Sequence, residues 1–272
     1  MPSSFLHLVA LKYAKKKANN HNTNESRLMQ FSIVIPVHNE EGNITPLLNE
    51  IRQALVGRHQ YEIICVDDHS TDQTPAILTH LCGEHPELRV IHLLRRCGQS
   101  SALWVGVRAA GYPLIVTLDG DGQNDPADIE RFLHGFGEDK TNGARQLIIG
   151  YRRNRRDPGW RHVTSRVANS VRRFLLRDGT PDSGCGIKAF PRDFFLDLPA
   201  FHHMHRFLPA LVRQHGGTVC SLAVNHRNRS SGRSHYGTLD RLWAGIVDLL
   251  GVAWLGRRAM IPEIEQERKY HG

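Results

Sequence analysis

Four short apolar runs rich in β-branched residues divide the first half of the chain, and a segment of helical periodicity follows each of them. The runs are Phe31-Ser32-Ile33-Val34-Ile35-Pro36-Val37, Tyr61-Glu62-Ile63-Ile64-Cys65-Val66, Leu88-Arg89-Val90-Ile91-His92-Leu93 and Tyr112-Pro113-Leu114-Ile115-Val116-Thr117-Leu118. Between the first two, Ile44, Leu47, Leu48, Ile51 and Leu55 recur at helical spacing; Ile77, Leu78 and Leu81 do so after the second, and residues 102–110 form a helical segment after the third. Strict alternation of this kind predicts an α/β fold, because consecutive parallel strands need a crossover that a helix supplies, and the crossover is right-handed. At 272 residues the chain can bury a full core.

Ligands of open α/β sheets bind at the carboxyl ends of the strands. Three of the runs stop there in acids or amides: His38-Asn39-Glu40-Glu41, Asp67-Asp68-His69-Ser70-Thr71-Asp72 and Asp119-Gly120-Asp121-Gly122-Gln123. Asp67 can tie down its own turn or meet a ligand, and Ser70 or Asp72 can cap the next helix. Asp119 and Asp121 sit one residue apart, and two hard oxygen ligands with open positions suit Mg²⁺ or Mn²⁺ shared with a substrate diphosphate. The bland alternative is an acidic turn that caps the helix beginning near Asp125-Pro126. No Gly-x-Gly-x-x-Gly and no Gly-Lys-Ser/Thr loop follows any of these strands, which disfavours dinucleotide and P-loop enzymes.

The formal net charge of +8 points to anionic partners. Cys65, Cys82, Cys97, Cys185 and Cys220 form no CxxC and no disulfide framework, and the 17 histidines form no convincing ligand cluster, so a reducing cytoplasm fits and a zinc site does not. Residues 1–30 read as a flexible extension, since an apolar piece preceding Lys15-Lys16-Lys17 is the wrong order for a secretory signal. No run of about 20 apolar residues is present.

Val34-Ile35-Pro36-Val37-His38-Asn39-Glu40-Glu41, Val66-Asp67-Asp68-His69-Ser70-Thr71-Asp72 and Leu118-Asp119-Gly120-Asp121-Gly122-Gln123 resemble the three signatures of family 2 glycosyltransferases of GT-A fold. The branch they look like most is the dolichol-phosphate mannosyltransferase-like enzymes, which load a sugar onto a polyprenyl phosphate. The resemblance implies a GT-A nucleotide-sugar-binding fold with a mostly parallel central sheet flanked by helices, over residues 31–237. It implies that Pro36, Asn39 and Glu40 border the base and ribose of a UDP- or GDP-sugar, that Asp68 meets a polar edge of the nucleotide, and that Gln99 lies over it. Asp119, Asp121 and Gln123 would surround the Mg²⁺ or Mn²⁺ and the diphosphate.

In the second half, Leu147-Ile148-Ile149-Gly150 reads as a strand running into Arg152, Arg153, Arg155 and Arg156, and residues 219–224 as another strand. In the intervening helix Val163, Val167, Val171, Phe174 and Leu175 mark a buried stripe, while Arg161, Ser165 and Asn169 recur at four-residue steps beside it. Those three groups can cradle a phosphate, and the same spacing resembles the lipid-phosphate site of the polyprenyl-phosphate branch, with Arg152 or Arg153 as a second cation. Thr180-Pro181-Asp182-Ser183-Gly184-Cys185-Gly186-Ile187-Lys188-Ala189-Phe190 resembles the family's acceptor loop, which makes Asp182 the candidate base; an anionic phosphate acceptor would need it only for orientation. Cys185 reads as a packing residue, and Arg206 as the contact for the leaving diphosphate. Where family members often carry Lys after Ser234, this chain has His235.

Residues 238–272 read as a C-terminal amphipathic helix and polar tail. Leu239, Leu242, Trp243, Ile246, Leu249, Leu250, Ala253 and Trp254 fall on one side of that helix, which ends at Arg257-Arg258, and it either lies in a membrane interface or packs on the core. The reading is therefore an inverting transferase, peripheral on the cytoplasmic face of a membrane, that moves a sugar to a lipid phosphate. Its rivals are transfer to a hydroxyl of a saccharide or envelope lipid, a membrane scaffold without catalysis, and a basic nucleic-acid binder; the last is disfavoured because the arginines lack interleaved aromatics.

Overall fold

A computed structural model describes residues 28–138, 143–152, 172, 175–225, 227 and 238–259, with the backbone alone for 137–138 and 238–244. The expected phosphate-cradle residues Arg153, Arg161, Ser165 and Asn169, together with His235, lie outside the described residues.

Seven strands form one sheet in the order β3-β2-β1-β4-β6-β5-β7. They are β1 (Gln30–Val37), β2 (Gln60–Asp67), β3 (Leu88–His92), β4 (Leu114–Thr117), β5 (Gln146–Arg152), β6 (Lys188–Pro191) and β7 (Thr218–Val224). Six run parallel to one another, and β6 alone runs antiparallel, between β4 and β5. The helices are α1 (Ile44–Leu55), α2 (Thr74–Glu84), α3 (Gln99–Ala109), α4 (Ile129–Glu138), α5 (Arg192–Leu196), α6 (Met204–Gln214) and α7 (Thr238–Gly256). β4 is buried along its whole length and β1 nearly so, as strands covered on both faces must be.

The five apolar positions expected to face inward from α1 are all buried. Asp72 accepts the backbone N–H of Thr74 at 3.0 Å and so satisfies one of the orphan donors that open α2. Of the expected buried stripe, Val163, Val167, Val171 and Phe174 lie outside the described residues, and its last member can be compared with its neighbour. Leu176 is buried there, whereas Leu175 is exposed. The segment expected to be wholly loop, Thr180 to Phe190, ends in β6; its Lys188 interrupts the apolar alternation and hides the strand.

Chain order fixes where a site can form. β1, β2 and β3 step outward in one direction, and β4 then returns to the other side of β1. The crevice at such a reversal is where ligands bind in α/β sheets. Because β6 is antiparallel, it is its beginning, not its end, that meets the carboxyl ends of β4 and β5: Thr117 pairs with Lys188, and Ile149 with Lys188 on the other side. The carboxyl ends of β1, β2 and β4 and the start of β6 therefore share one edge.

Phe190 and Phe195 stack with ring centroids 4.8 Å apart, and both are fully buried. Phe190→Ala is expected to lower the unfolding free energy by about 3–5 kcal/mol in urea titration, the usual cost of an aromatic-sized cavity.

Candidate active site

The loops at that edge enclose a cleft of about 400 Å³. The turn after β1 contributes Pro36, Val37, His38 and Glu40; β2 contributes Asp68; the approach to α3 contributes Arg96, Gly98 and Gln99; and the turn after β4 contributes Asp119, Gly120 and Asp121. Six of the expected donor-site residues, Pro36, Glu40, Asp68, Gln99, Asp119 and Asp121, thus line one cavity.

The acids at the strand ends divide into braces and open ligands. Asp67 is buried, accepts the N–H of Ser70 at 3.1 Å and lies 3.1 Å from His92 Nδ1, so it ties down its own turn. Asp68 faces the cleft, yet its two oxygens accept the backbone N–H groups of Cys97 (2.6 Å) and Gly98 (2.8 Å) and fix the loop that carries Gln99. Asn39, with φ of 56°, clamps the β1 turn to the β2 turn: its Oδ1 accepts Thr71 N–H at 2.8 Å, and its own N–H donates to Ser70 Oγ at 2.9 Å. Asn39 is exposed and does not line the cleft.

Asp119 is gripped from several directions. Gln99 Nε2 donates to its Oδ1 at 2.9 Å, and its backbone N–H donates to Asn124 Oδ1 at 3.1 Å. Across β6, Thr117 Oγ1 donates to the carbonyl of Gly186 at 2.7 Å, which brings that glycine against the carboxylate. A Cβ on Gly186 would stand 2.2 Å from Asp119 Oδ2, closer than any real contact. Although the cleft leaves Asp119 partly open, the protein around it and the neighbouring Asp121 raise its pKa to about 6, against the pull of Lys188 and Arg152.

Lys188 is the cation that sequence reading missed. It is 4 % exposed, donates from Nζ to the carbonyl of Cys185, and burial pushes its pKa below the ordinary value while Asp119 pulls the other way. The available signal was a lone charge inside an apolar run, Ile187-Lys188-Ala189-Phe190. Cys185 is buried, and burial lifts its thiol to about 11, which suits packing and not nucleophilic attack.

Asp182 meets Arg152 at the end of β5 in a two-pronged ion pair: Nε to Oδ2 is 2.6 Å and Nη2 to Oδ1 is 2.9 Å. Burial opposes the charge on Arg152 most strongly, but the bond to Asp182 and the negative charge of Asp182 and Asp119 together outweigh it and raise the guanidinium pKa. Arg172 braces the same loop through Asp178 (2.7 Å), the Thr180 carbonyl and Ser183. His205, at the start of α6, lies 2.7 Å from Ser100 Oγ, and burial drives its pKa down to about 3, so it stays neutral.

Two further expected contacts, Gln123 and Arg206, are not among the residues that line the cleft. Gly122 has φ of 71°, and the turn it makes lets Gln123 N–H bond to Asp121 Oδ1 at 3.1 Å while the Gln123 side chain reaches toward the Arg227 carbonyl. Arg206 is exposed on α6 and does not line the cleft, where Arg96 stands instead. Among the described residues, no group of three or more His, Cys, Asp or Glu side chains could hold a metal. Asp119 and Asp121 still fit one by their chemistry: two mutually repelling carboxylates, one with a raised pKa, would gain from a divalent ion.

Residues 32–198 match the family model described as glycosyl transferase family 2. The chain belongs to that family. It is 35% identical over 237 residues to the dodecaprenyl-phosphate galacturonate synthase of Rhizobium johnstonii, covering 84% of this chain and 68% of that one. It is 32% identical over 226 residues to the undecaprenyl-phosphate 4-deoxy-4-formamido-L-arabinose transferase of Yersinia pestis, covering 82% and 67%. In fold it matches glucosyl-3-phosphoglycerate synthase from Mycobacterium tuberculosis, solved with Mn²⁺, UDP and glucosyl-3-phosphoglycerate, at TM-score 0.61 and 22% identity over 86% of this chain and 81% of that one. The same enzyme solved with Mg²⁺ and UDP matches at TM-score 0.62 and 21% identity, covering 86% and 80%.

Gly186→Ala is expected to displace Asp119 and weaken Mn²⁺-dependent nucleotide binding roughly 10- to 100-fold in calorimetry, with the fold retained by circular dichroism. The raised Asp119 pKa sets a sign as well. The ionised form is the disfavoured one, so cation binding falls as pH drops through about 6. Over the same window the metal-free protein becomes more stable toward acid, because the native state holds a proton that the unfolded chain releases.

Proposed function

We propose that the protein transfers a sugar from a UDP- or GDP-sugar to a polyprenyl phosphate, inverting the anomeric centre in a single displacement, and that it works peripherally on the cytoplasmic face of a membrane. The observation that carries this reading is the Asp119–Asp121 cleft at the sheet reversal, beside the Arg152–Asp182 pair, in a chain of this family whose relatives above carry polyprenyl-phosphate names.

Asp119 and Asp121 would hold Mg²⁺ or Mn²⁺, which when bound neutralises charge on the diphosphate. Gln99 and the amides braced by Asp68 keep the donor side rigid, so positioning need not be assembled during the reaction. Lys188, whose charge acts on Asp119, would supply positive charge on the side where the leaving group gains negative charge. A phosphate oxygen arrives already anionic, so no general base is required of it. Asp182, with both oxygens engaged by Arg152, suits an orienting part: it holds the guanidinium in place for the acceptor phosphate. Arg153, Arg161, Ser165, Asn169 and Arg206 stay in the proposal as further phosphate contacts, and Gln123 as a metal-site residue brought in on donor binding.

The second reading, transfer to a hydroxyl, would require Asp182 to take a proton, which is worth about 10²–10⁴-fold in rate. The test is transfer from a panel of UDP- and GDP-sugars to short-chain polyprenyl phosphate with Mn²⁺ or Mg²⁺, beside Asp121→Ala and Asp182→Asn. Product with one donor, lost in Asp121→Ala and lowered no more than about tenfold in Asp182→Asn, supports the lipid-phosphate reading. Donor hydrolysis without lipid product, and loss of all turnover to hydroxyl acceptors in Asp182→Asn, would replace it with the second.

A further inference from the structure

Helix α7 carries two unlike faces. One packs inward: Leu249, Val252 and Ala253 lie against the core, Asp248 Oδ2 is 2.8 Å from His203 Nδ1, and Gln214 Nε2 donates to the Val252 carbonyl at 3.1 Å. The other looks out. Ile246, Leu250 and Trp254 follow one another at four-residue steps with Val247 beside them, and they are 41%, 59%, 58% and 52% exposed in the order Ile246, Leu250, Trp254, Val247. A solvent-facing helix surface is normally charged or polar. Along this arc the only charges among the described side chains are Arg257 and Arg258 at its end, and the Arg258 guanidinium lies over the Trp254 ring at 5.6 Å from its centroid.

A groove of about 720 Å³ adjoins the same end of the helix. Leu175, Leu176 and Ala253 make it apolar, while Arg177 and Arg257 line it with positive charge. Arg257 is common to the groove and the exposed arc, so the two form one surface. Its pattern is apolar area bordered by guanidinium groups, in a chain of net charge +8. That is the complement of a bilayer with anionic headgroups: Leu, Ile and Trp enter the acyl boundary, and arginines reach lipid phosphates. Among the described residues no helix is long and apolar enough to cross a membrane, so α7 would lie in the plane of the interface.

We infer that the outer face of α7, with the Arg177–Arg257 groove, seats the protein on an anionic lipid bilayer. This rests on the lipid-phosphate reading for its purpose, since a polyprenyl phosphate is met only at a membrane, but its test needs neither donor nor acceptor. Purified full-length protein is sedimented with vesicles of phosphatidylcholine, with and without phosphatidylglycerol. Wild type is expected to pellet with the anionic vesicles, Leu250→Asp/Trp254→Asp to lose that binding tenfold or more, and Arg257→Ser/Arg258→Ser to lose the preference for phosphatidylglycerol by roughly tenfold. Each variant is expected to keep wild-type nucleotide binding, which reports an intact fold. Unchanged vesicle binding in Leu250→Asp/Trp254→Asp overturns the inference. So does light scattering in which that variant splits a wild-type oligomer without altering vesicle binding, because the face is then a contact between copies. Vesicle binding without any transfer to polyprenyl phosphate would overturn the proposed function and leave this surface standing.

Discussion

Everything at the active edge depends on the packing of Asp119 against Gly186. The carboxylate is held at a distance that leaves no room for a side chain at Gly186, two residues before β6, and the Thr117 hydroxyl on β4 fixes that approach. This contact exists only because β6 enters antiparallel, which delivers its first residues to the edge where β4 ends. A parallel strand in that place would have brought the far end of the segment instead. Lys188 arrives by the same geometry, and its buried charge offsets part of the repulsion between Asp119 and Asp121.

Around this contact the polar residues divide by task. Asp67, Asp68 and Asn39 are largely committed to backbone amides and neighbouring turns, so they shape the cleft walls. Asp119 is left with a raised pKa, the signature of a carboxylate whose charge awaits a partner. Arg152 and Asp182 close the other side as a paired unit braced through Arg172. The result is a cleft whose walls are fixed by hydrogen bonds, beside a guanidinium held by its own carboxylate partner.

The comparisons separate two levels of likeness. Glucosyl-3-phosphoglycerate synthase shares the fold at 22% identity and is named for glucosyl-3-phosphoglycerate, whereas the relatives at 32–35% identity are named for polyprenyl phosphates. Fold alone therefore does not choose the acceptor. The proposal of a lipid acceptor rests on the relatives named for polyprenyl phosphates.

The sequence by itself determined the parts that depend on local chemistry. Strand runs such as Ile33–Ile35 and Leu114–Thr117, the α1 stripe and the acidic strand ends were legible because burial imposes a period and ligand chemistry imposes residue types. It also pointed to the acidic pair and to the apolar C-terminal helix. Tertiary structure decided what local pattern cannot encode. Whether an acid braces a turn, as Asp67 does, or faces the cleft, as Asp119 does, depends on groups 25 or more residues away in the chain, such as His92 and Gly186. Lys188 was hidden because the carboxylate its charge acts on, Asp119, lies far away in the chain, and local pattern could not tell that the Gln123 side chain reaches toward the Arg227 carbonyl or that Arg206 is exposed on α6. The α7 sequence allowed either a core or an interface helix; its fold divides the apolar surface, burying Leu249 and Val252 against the domain and leaving Leu250 and Trp254 outside, since only packing selects which face is covered.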